Sequence, residues 1–136
     1  MKGKDIALLL LRVVPGTMLI VFHGWGKLTS GIAYFLHGQE WGFLKGVTNL
    51  GFPVPLFFAC CAVLTETVGS VFLALGLFTR YAALFLAINM TVAIYRHLTS
   101  DFRFELAAMY CVIALAFVFL NPGDFSIDAK IRKKSA

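Results

Sequence analysis

Four apolar stretches divide the chain, and short segments rich in glycine, proline and polar residues separate them. The stretches cover residues 6–22, 54–77, 81–98 and 104–120. Each is close to the roughly 17–25 residues that a helix needs to cross the hydrocarbon core of a bilayer. The pattern therefore predicts an all-α protein, a transmembrane four-helix bundle that forms a single domain over residues 1–136.

The connection between the first two stretches, residues 24–52, is the longest and is partly apolar. Long connections without structure of their own are uncommon in compact domains and are often functional. We expect a short interfacial or re-entrant segment here, with Trp25 and Trp41 at the level of the lipid headgroups.

Composition places the chain among membrane proteins, because 60% of its residues are hydrophobic and only 14% are charged. Soluble domains carry about a quarter charged residues. The lipid bilayer is therefore the expected partner. The formal net charge is +5, but much of it comes from basic residues gathered near the two ends of the chain. This distribution favours juxtamembrane anchors over a nucleic-acid-binding arm, so no nucleic-acid partner is expected.

The distribution of lysine and arginine also predicts the orientation. With four spans, both termini and the second loop share one side of the membrane. That side carries seven basic residues and the other carries four. The excess predicts a multi-pass protein of the cytoplasmic (inner) membrane with both termini, and the basic tail of residues 121–136, in the cytoplasm. The two sets are Lys2, Lys4, Arg80, Lys130, Arg132, Lys133 and Lys134 against Lys27, Lys45, Arg96 and Arg103.

Three basic residues of the first helix, Arg12, His23 and Lys27, share one face at ~100° per residue. The second span carries Glu66 on a face of small residues, where an isolated carboxylate would need a partner. Counted from the predicted helix ends, Arg12 lies about 9 Å deep and Glu66 about 16 Å deep. A long arginine side chain would bridge this difference, so we predict a buried Arg12–Glu66 ion pair, with either a structural or a functional role.

A second group of polar residues lies toward the outer membrane face. We predict a ligand or quinone pocket there, although Lys and Arg near helix ends also reach the interface without binding anything. Two histidines without a third ligand do not make a metal site, so no metal is predicted. The sequence contains no GxSxG, Walker A or HExxH motif, and no cofactor other than a quinone is suggested. The pocket residues are His23, Lys27, Asn89, Arg96, His97 and Glu105.

Several segments together resemble the DoxX family of small four-helix membrane proteins. They are LLLRVVPGTMLIVFHGWGKL, LGFPVP, ETVGSVFLALGLFTR, NMTVA, FELAAMY and NPGDFSID, and they extend from about residue 6 to residue 128. The resemblance implies a four-helix membrane fold. The family takes its name from a subunit linked to terminal quinol oxidase and thiosulfate:quinone oxidoreductase in an archaeon, and other members are associated with redox or thiol-stress complexes.

The resemblance therefore implies an accessory subunit of a redox or stress-defence membrane complex, linked to quinone or thiol chemistry, with a redox protein as partner. No reaction of its own is assigned to the chain. One alternative is a non-catalytic membrane scaffold or assembly factor, for which the small-residue face of the second span would be the docking surface, also in a homo-oligomer. Another is a small proton-coupled transporter that uses Glu66 as its proton carrier.

Overall fold

The computed structural model describes residues 2–135, and this part of the chain is all-α, with no strand in it. Met1 and Ala136, the end residues of the predicted domain, lie outside the described residues. Eight α-helices and two π-helical segments follow one another along residues 2–135. They are α1 (Lys2–Met18), π1 (Leu19–Gly24), α2 (Trp25–His37), α3 (Gly42–Asn49), α4 (Pro55–Leu64), π2 (Thr65–Gly69), α5 (Ser70–Leu75), α6 (Thr79–Thr99), α7 (Glu105–Phe119) and α8 (Ile127–Ser135).

The first helical rod is longer than predicted, because α1, π1 and α2 are continuous. The apolar rod Gly3–His37 has 35 residues, or roughly 50 Å at 1.5 Å per residue. The prediction that a loop starts at Gly24 is therefore wrong. Gly24 lies inside the rod, where its missing Cβ lets the second rod approach. The rod ends at Gly38, whose φ of 64° is the left-handed conformation typical of a residue that stops a helix.

Two further rods are long and apolar enough to cross a membrane. The second, Pro55–Leu75, is formed by α4, π2 and α5, and the third is α6, Thr79–Thr99. Helix α7 is apolar but has only 15 residues, or about 22 Å. Three helices of membrane-crossing length are thus present among residues 2–135, and α7 packs along α6 as a shorter fourth member.

The outer surface of the rods is apolar. Large side chains such as Phe22, Val112 and Phe119 are more than 60% exposed. Such a surface would aggregate in water and is suited to lipid. The core between the rods is formed by small and medium-sized residues, with Leu73 and Leu86 among the most buried.

Glycines set the alignment between the first two rods, which run antiparallel. A Cβ on Gly16 would lie 3.0 Å from the carbonyl oxygen of Ser70, and one on Gly24 would lie 2.8 Å from Cγ2 of Thr67. The two backbones therefore approach closely at these points, as small residues permit in membrane helices.

The end of the bundle that carries both termini is closed by the C-terminal segment. The carboxylate of Asp128 accepts hydrogen bonds from the backbone N–H groups of Phe78 and Thr79, at 2.8 and 2.9 Å, and from the Thr79 hydroxyl at 2.7 Å. These groups begin α6, so an α8 side chain caps another helix. The predicted basic tail is therefore helical over Ile127–Ser135 and docked on the bundle.

Candidate functional site

The two π-helical segments lie against each other in the middle of the first two rods. Segment π1 carries His23 next to Gly24, and π2 carries Glu66 next to Thr67. Short π-helical segments inside α-helices are rare and often occur at functional sites. Their pairing here points to the region around Glu66 as the candidate site.

Glu66 is nearly fully buried, with 3% of its surface exposed, and both of its oxygens have partners. Lys27 Nζ, from the first turn of α2, lies 2.6 Å from Oε2. Asn89 Nδ2, from α6, donates to Oε1 at 3.0 Å. The Lys27 ammonium also lies 4.6 Å from the centre of the Phe43 ring, a cation–π contact. One carboxylate thus joins all three membrane-length rods.

The predicted Arg12–Glu66 ion pair is wrong, because Glu66 pairs with Lys27 instead. Arg12 is fully buried near the other end of the rod, and its Nη2 donates to the carbonyl oxygen of Phe125 at 3.3 Å. Its Nε and Nη1 have no hydrogen-bond partner within residues 2–135. A Cβ on Gly76 would overlap Nη1, so Arg12 is level with Gly76. Glu66 lies ten residues before Gly76, or roughly 15 Å further along the rod.

A cavity of about 360 Å³ opens beside the Lys27–Glu66 pair. Its wall is largely aromatic and aliphatic, and its charged, amide and imidazole groups are those of Lys27, Glu66, Asn89, Arg96 and His97. Some of its apolar lining residues also face outward, since Phe57 and Phe85 are each 60% exposed and Ile88 is 55% exposed. The larger cavity therefore lies between the polar centre and the outer surface of the bundle.

A smaller cavity of about 160 Å³ lies near the same pair. It shares Lys27, Glu66, Ala93 and His97 with the larger cavity and is otherwise formed by π1, α6 and α7 together with the turn before α7. Its additional polar residues are His23, Arg103 and Tyr110. The His23 ring meets the Tyr110 ring edge to face, with centroids 6.0 Å apart.

The structure divides the residues predicted for one pocket between the two cavities. Asn89 and Arg96 line the larger cavity alone, His23 lines the smaller one alone, and Lys27 and His97 line both. Glu105 is exposed and lines neither cavity. Arg103, which the sequence places on the outer side with Arg96, lines the smaller cavity. The residues that the sequence did not suggest are Tyr110 and the aromatic wall formed by Phe43, Phe52, Phe57, Phe58 and Phe85.

The shared residue His97 is connected to the surface of the bundle. Its Nδ1 lies 2.8 Å from Oδ1 of Asp101, in the turn before α7. The same oxygen accepts a hydrogen bond from the backbone N–H of Arg103 at 3.2 Å. The hydrogen bond from His97, and then that from Arg103, lower the pKa of the Asp101 carboxyl. This carboxylate therefore fixes the orientation of the His97 ring.

Comparison with known proteins confirms the family that the sequence motifs indicated. The DoxX family model matches residues 7–98, about two thirds of the chain. The chain belongs to the DoxX family. A Haemophilus influenzae (strain ATCC 51907 / DSM 11121 / KW20 / Rd) protein with the name "Uncharacterized protein" is 38% identical to this chain. The alignment is 142 residues long and covers 98% of this chain and 96% of that protein. No solved structure matches the chain.

The DoxX match covers both π segments and the three residues bonded at the polar centre, Lys27, Glu66 and Asn89. It ends at residue 98, before Arg103, Tyr110 and Asp128. The wall of the larger cavity therefore lies within the matched part of the DoxX chain, whereas the smaller cavity also uses residues beyond it.

Proposed function

We propose that this DoxX protein binds the headgroup of a quinone in the larger cavity and serves as an accessory subunit of a redox or stress-defence complex. The supporting observation is the cavity of about 360 Å³ that runs from the Lys27–Glu66–Asn89 centre to outward-facing apolar residues. Ligand sites in proteins combine an apolar wall with a few polar groups in the same way, and their volumes start at about 300 Å³.

The residues of the cavity suit a quinone. The Lys27 ammonium and the Asn89 amide are hydrogen-bond donors, and a quinone carbonyl oxygen is an acceptor. The aromatic wall, which includes Phe43 and Phe85, provides faces on which a planar ring packs. The isoprenoid tail would leave past the exposed side chains toward lipid. A membrane-borne ligand therefore fits both the polarity and the position of this cavity.

The proposed location is the cytoplasmic membrane, with both termini on the cytoplasmic side. Basic residues at the terminal end, on α8 and at Arg80, support this orientation. A reporter enzyme that is active only outside the cytoplasm should be inactive when it is fused to the C-terminus. Activity of that fusion would contradict the orientation without bearing on the cavity.

The binding proposal is tested with a short-chain benzoquinone and purified protein in nanodiscs of neutral lipid. Asn89→Leu removes a donor from the cavity wall and should weaken binding about three- to tenfold, the effect of one lost neutral hydrogen bond. Asn121→Leu is the matched control, because Asn121 is exposed after α7 at the other end of the bundle. It should bind like the wild type.

Lack of saturable benzoquinone binding by the wild type, or equal loss in both asparagine variants, would contradict the proposal. The accessory role is tested separately, by purification from native membranes. A redox protein that co-purifies with the quinone-binding chain supports the proposal. A stable partner without any quinone binding would instead favour a scaffold or assembly factor, and proton-driven uptake into liposomes would favour a transporter.

A further inference from the structure

The smaller cavity holds polar groups that the quinone proposal does not use. We propose that it is a separate site for an anionic phosphate group, supplied either by a lipid headgroup or by soluble phosphate. Six residues with polar side chains converge there from different elements, and Glu66 is the sole carboxylate residue among the described residues that line it. The other five carry ammonium, guanidinium, imidazole or hydroxyl groups; they are His23, Lys27, His97, Arg103 and Tyr110.

The Glu66 carboxylate does not oppose an anion here, because its charge is already compensated. Lys27 Nζ lies 2.6 Å from Oε2, and Asn89 donates to Oε1. Lysine has three N–H donors, so Lys27 keeps hydrogen atoms free of this pair. The nearby Asp101 carboxylate is held by the His97 ring and the Arg103 backbone N–H. The remaining charge of the cavity is therefore that of Arg103.

Several donors of the cavity have no partner in the part of the chain that the structure describes. Within residues 2–135, the Arg103 side chain has no carboxylate within 4.0 Å, and its one hydrogen bond to Asp101 comes from the backbone. The Tyr110 hydroxyl and the His23 ring nitrogens likewise have no hydrogen-bond partner in the described chain. A tetrahedral oxyanion offers several acceptor oxygens at once, and a guanidinium binds it through two parallel hydrogen bonds.

The position of the cavity favours a phosphate at the membrane surface. The cavity extends from π1, π2 and the first turn of α2, along α6, to the turn before α7 and the first two turns of α7. Both Asp101 and Phe102 in that turn are exposed. An arginine near the end of a membrane helix reaches the level of the lipid headgroups, where its guanidinium can bind a phosphate. Leu19, Met90 and Leu106 complete the wall with apolar groups, as suits a ligand with a lipid portion.

The experiment uses the full-length protein in two arms. In the first, inorganic phosphate is titrated calorimetrically into nanodiscs of phosphatidylcholine, with sodium chloride at equal ionic strength as the blank. In the second, nanodiscs of mixed phosphatidylcholine and phosphatidylglycerol are examined by native mass spectrometry for retained anionic lipid. Saturable binding in the first arm identifies soluble phosphate, and retained phosphatidylglycerol in the second identifies a lipid headgroup.

Arg103→Gln should weaken binding in the responding arm about tenfold, as expected for loss of one charge-assisted hydrogen bond, and Arg103→Lys should restore part of it. Tyr110→Phe, which keeps the ring against His23, should weaken it less. Arg80→Gln is the matched control, because Arg80 is exposed near the start of α6 at the opposite end. Absence of binding in both arms, or equal loss in Arg80→Gln and Arg103→Gln, would overturn the proposal.

The quinone proposal and the phosphate proposal can be tested independently of each other. Arg103 and Tyr110 line the smaller cavity alone, so their variants should keep wild-type affinity for the short-chain benzoquinone. Phe85 lines the larger cavity alone, so Phe85→Ala should lower benzoquinone affinity and leave phosphate binding unchanged. A variant of either group that lowers both affinities equally would indicate one merged site and would overturn the assignment of a separate phosphate site.

Discussion

At one end of the bundle, Arg12 is enclosed by Gly76 and the C-terminal segment; toward the other end, Lys27 and Glu66 are paired beside two cavities. At the first centre, side chains bond mainly to backbone: Arg12 to the Phe125 carbonyl, and Asp128 to the start of α6. At the second, side chains from three rods bond to one another. The first, the closed centre, holds chain segments together around Arg12. The second, the open centre, places the charged groups of Lys27 and Glu66 beside cavities large enough for a ligand. Burial of a charge alone therefore does not identify a functional site.

The largest expected effect comes from breaking the pair at the open centre. Lys27→Met leaves the almost fully buried Glu66 carboxylate without its cation, and should lower the free energy of unfolding by about 3 kcal/mol. Lys45→Met is the matched control, since Lys45 makes a pair of the same 2.6 Å length with the exposed Glu40. That loss should be much smaller, because water screens an exposed pair. The measurement is chemical unfolding in detergent, and equal losses would show that burial of the pair has no effect.

A double-mutant cycle tests which residue is the partner of Glu66. Lys27→Met combined with Glu66→Leu should recover most of the stability that Lys27→Met loses. The same cycle with Arg12→Met and Glu66→Leu should be additive within about 0.5 kcal/mol, because the two residues lie at different levels of the rods. Coupling between Arg12 and Glu66 in place of Lys27 and Glu66 would reverse the comparison of the two centres.

The closed centre is tested by adding a single methyl group. Gly76→Ala places a Cβ on top of the Arg12 guanidinium and Ser126, at a φ of 69° that disfavours other residues. Strain and overpacking together should cost about 2–4 kcal/mol of unfolding free energy. Gly38→Ala is the control, because its φ of 64° is similar but its surroundings are open. It should cost about 1 kcal/mol, and an equal cost at both glycines would show that Arg12 is not confined.

A smaller effect is expected at the helix cap of the closed centre. Asp128→Ala removes the acceptor for three donors at the start of α6 and should cost about 1–2 kcal/mol of unfolding free energy. Asp124→Ala removes a carboxylate whose nearest cation, Lys133, is 3.8 Å away at the surface. It should cost about 0.5 kcal/mol or less. Thermal unfolding compares the two, and a smaller loss for Asp128→Ala would indicate that α8 does not hold α6.

The fold was largely predictable from the sequence, because the length and hydropathy of an apolar run are local properties. The predicted spans 54–77 and 81–98 correspond to Pro55–Leu75 and Thr79–Thr99. The end of the first rod was not predictable in the same way. Gly24 and Gly26 resemble a turn in the sequence, but Gly24 is a contact point for the second rod, and that partner is not visible in local sequence.

The site was predictable only in part. The sequence suggested that Glu66 needs a partner and that Lys27, Asn89 and His97 belong to one pocket, but it assigned the carboxylate to Arg12. Depths counted from predicted helix ends do not give the alignment of two rods, which the contacts at Gly16 and Gly24 set. The π segments also change the helical repeat between Arg12 and Lys27, so an ideal helical wheel does not describe this rod.

The most direct test of the open centre is the infrared difference spectrum of the protein on addition of a short-chain benzoquinone. A ligand that meets the Lys27–Glu66–Asn89 group should change the carboxylate stretching band of Glu66. The band should disappear from the difference spectrum of Glu66→Gln and remain in that of Glu40→Gln. A wild-type spectrum without a carboxylate change, or a change that persists in Glu66→Gln, would contradict the placement of the ligand beside this pair.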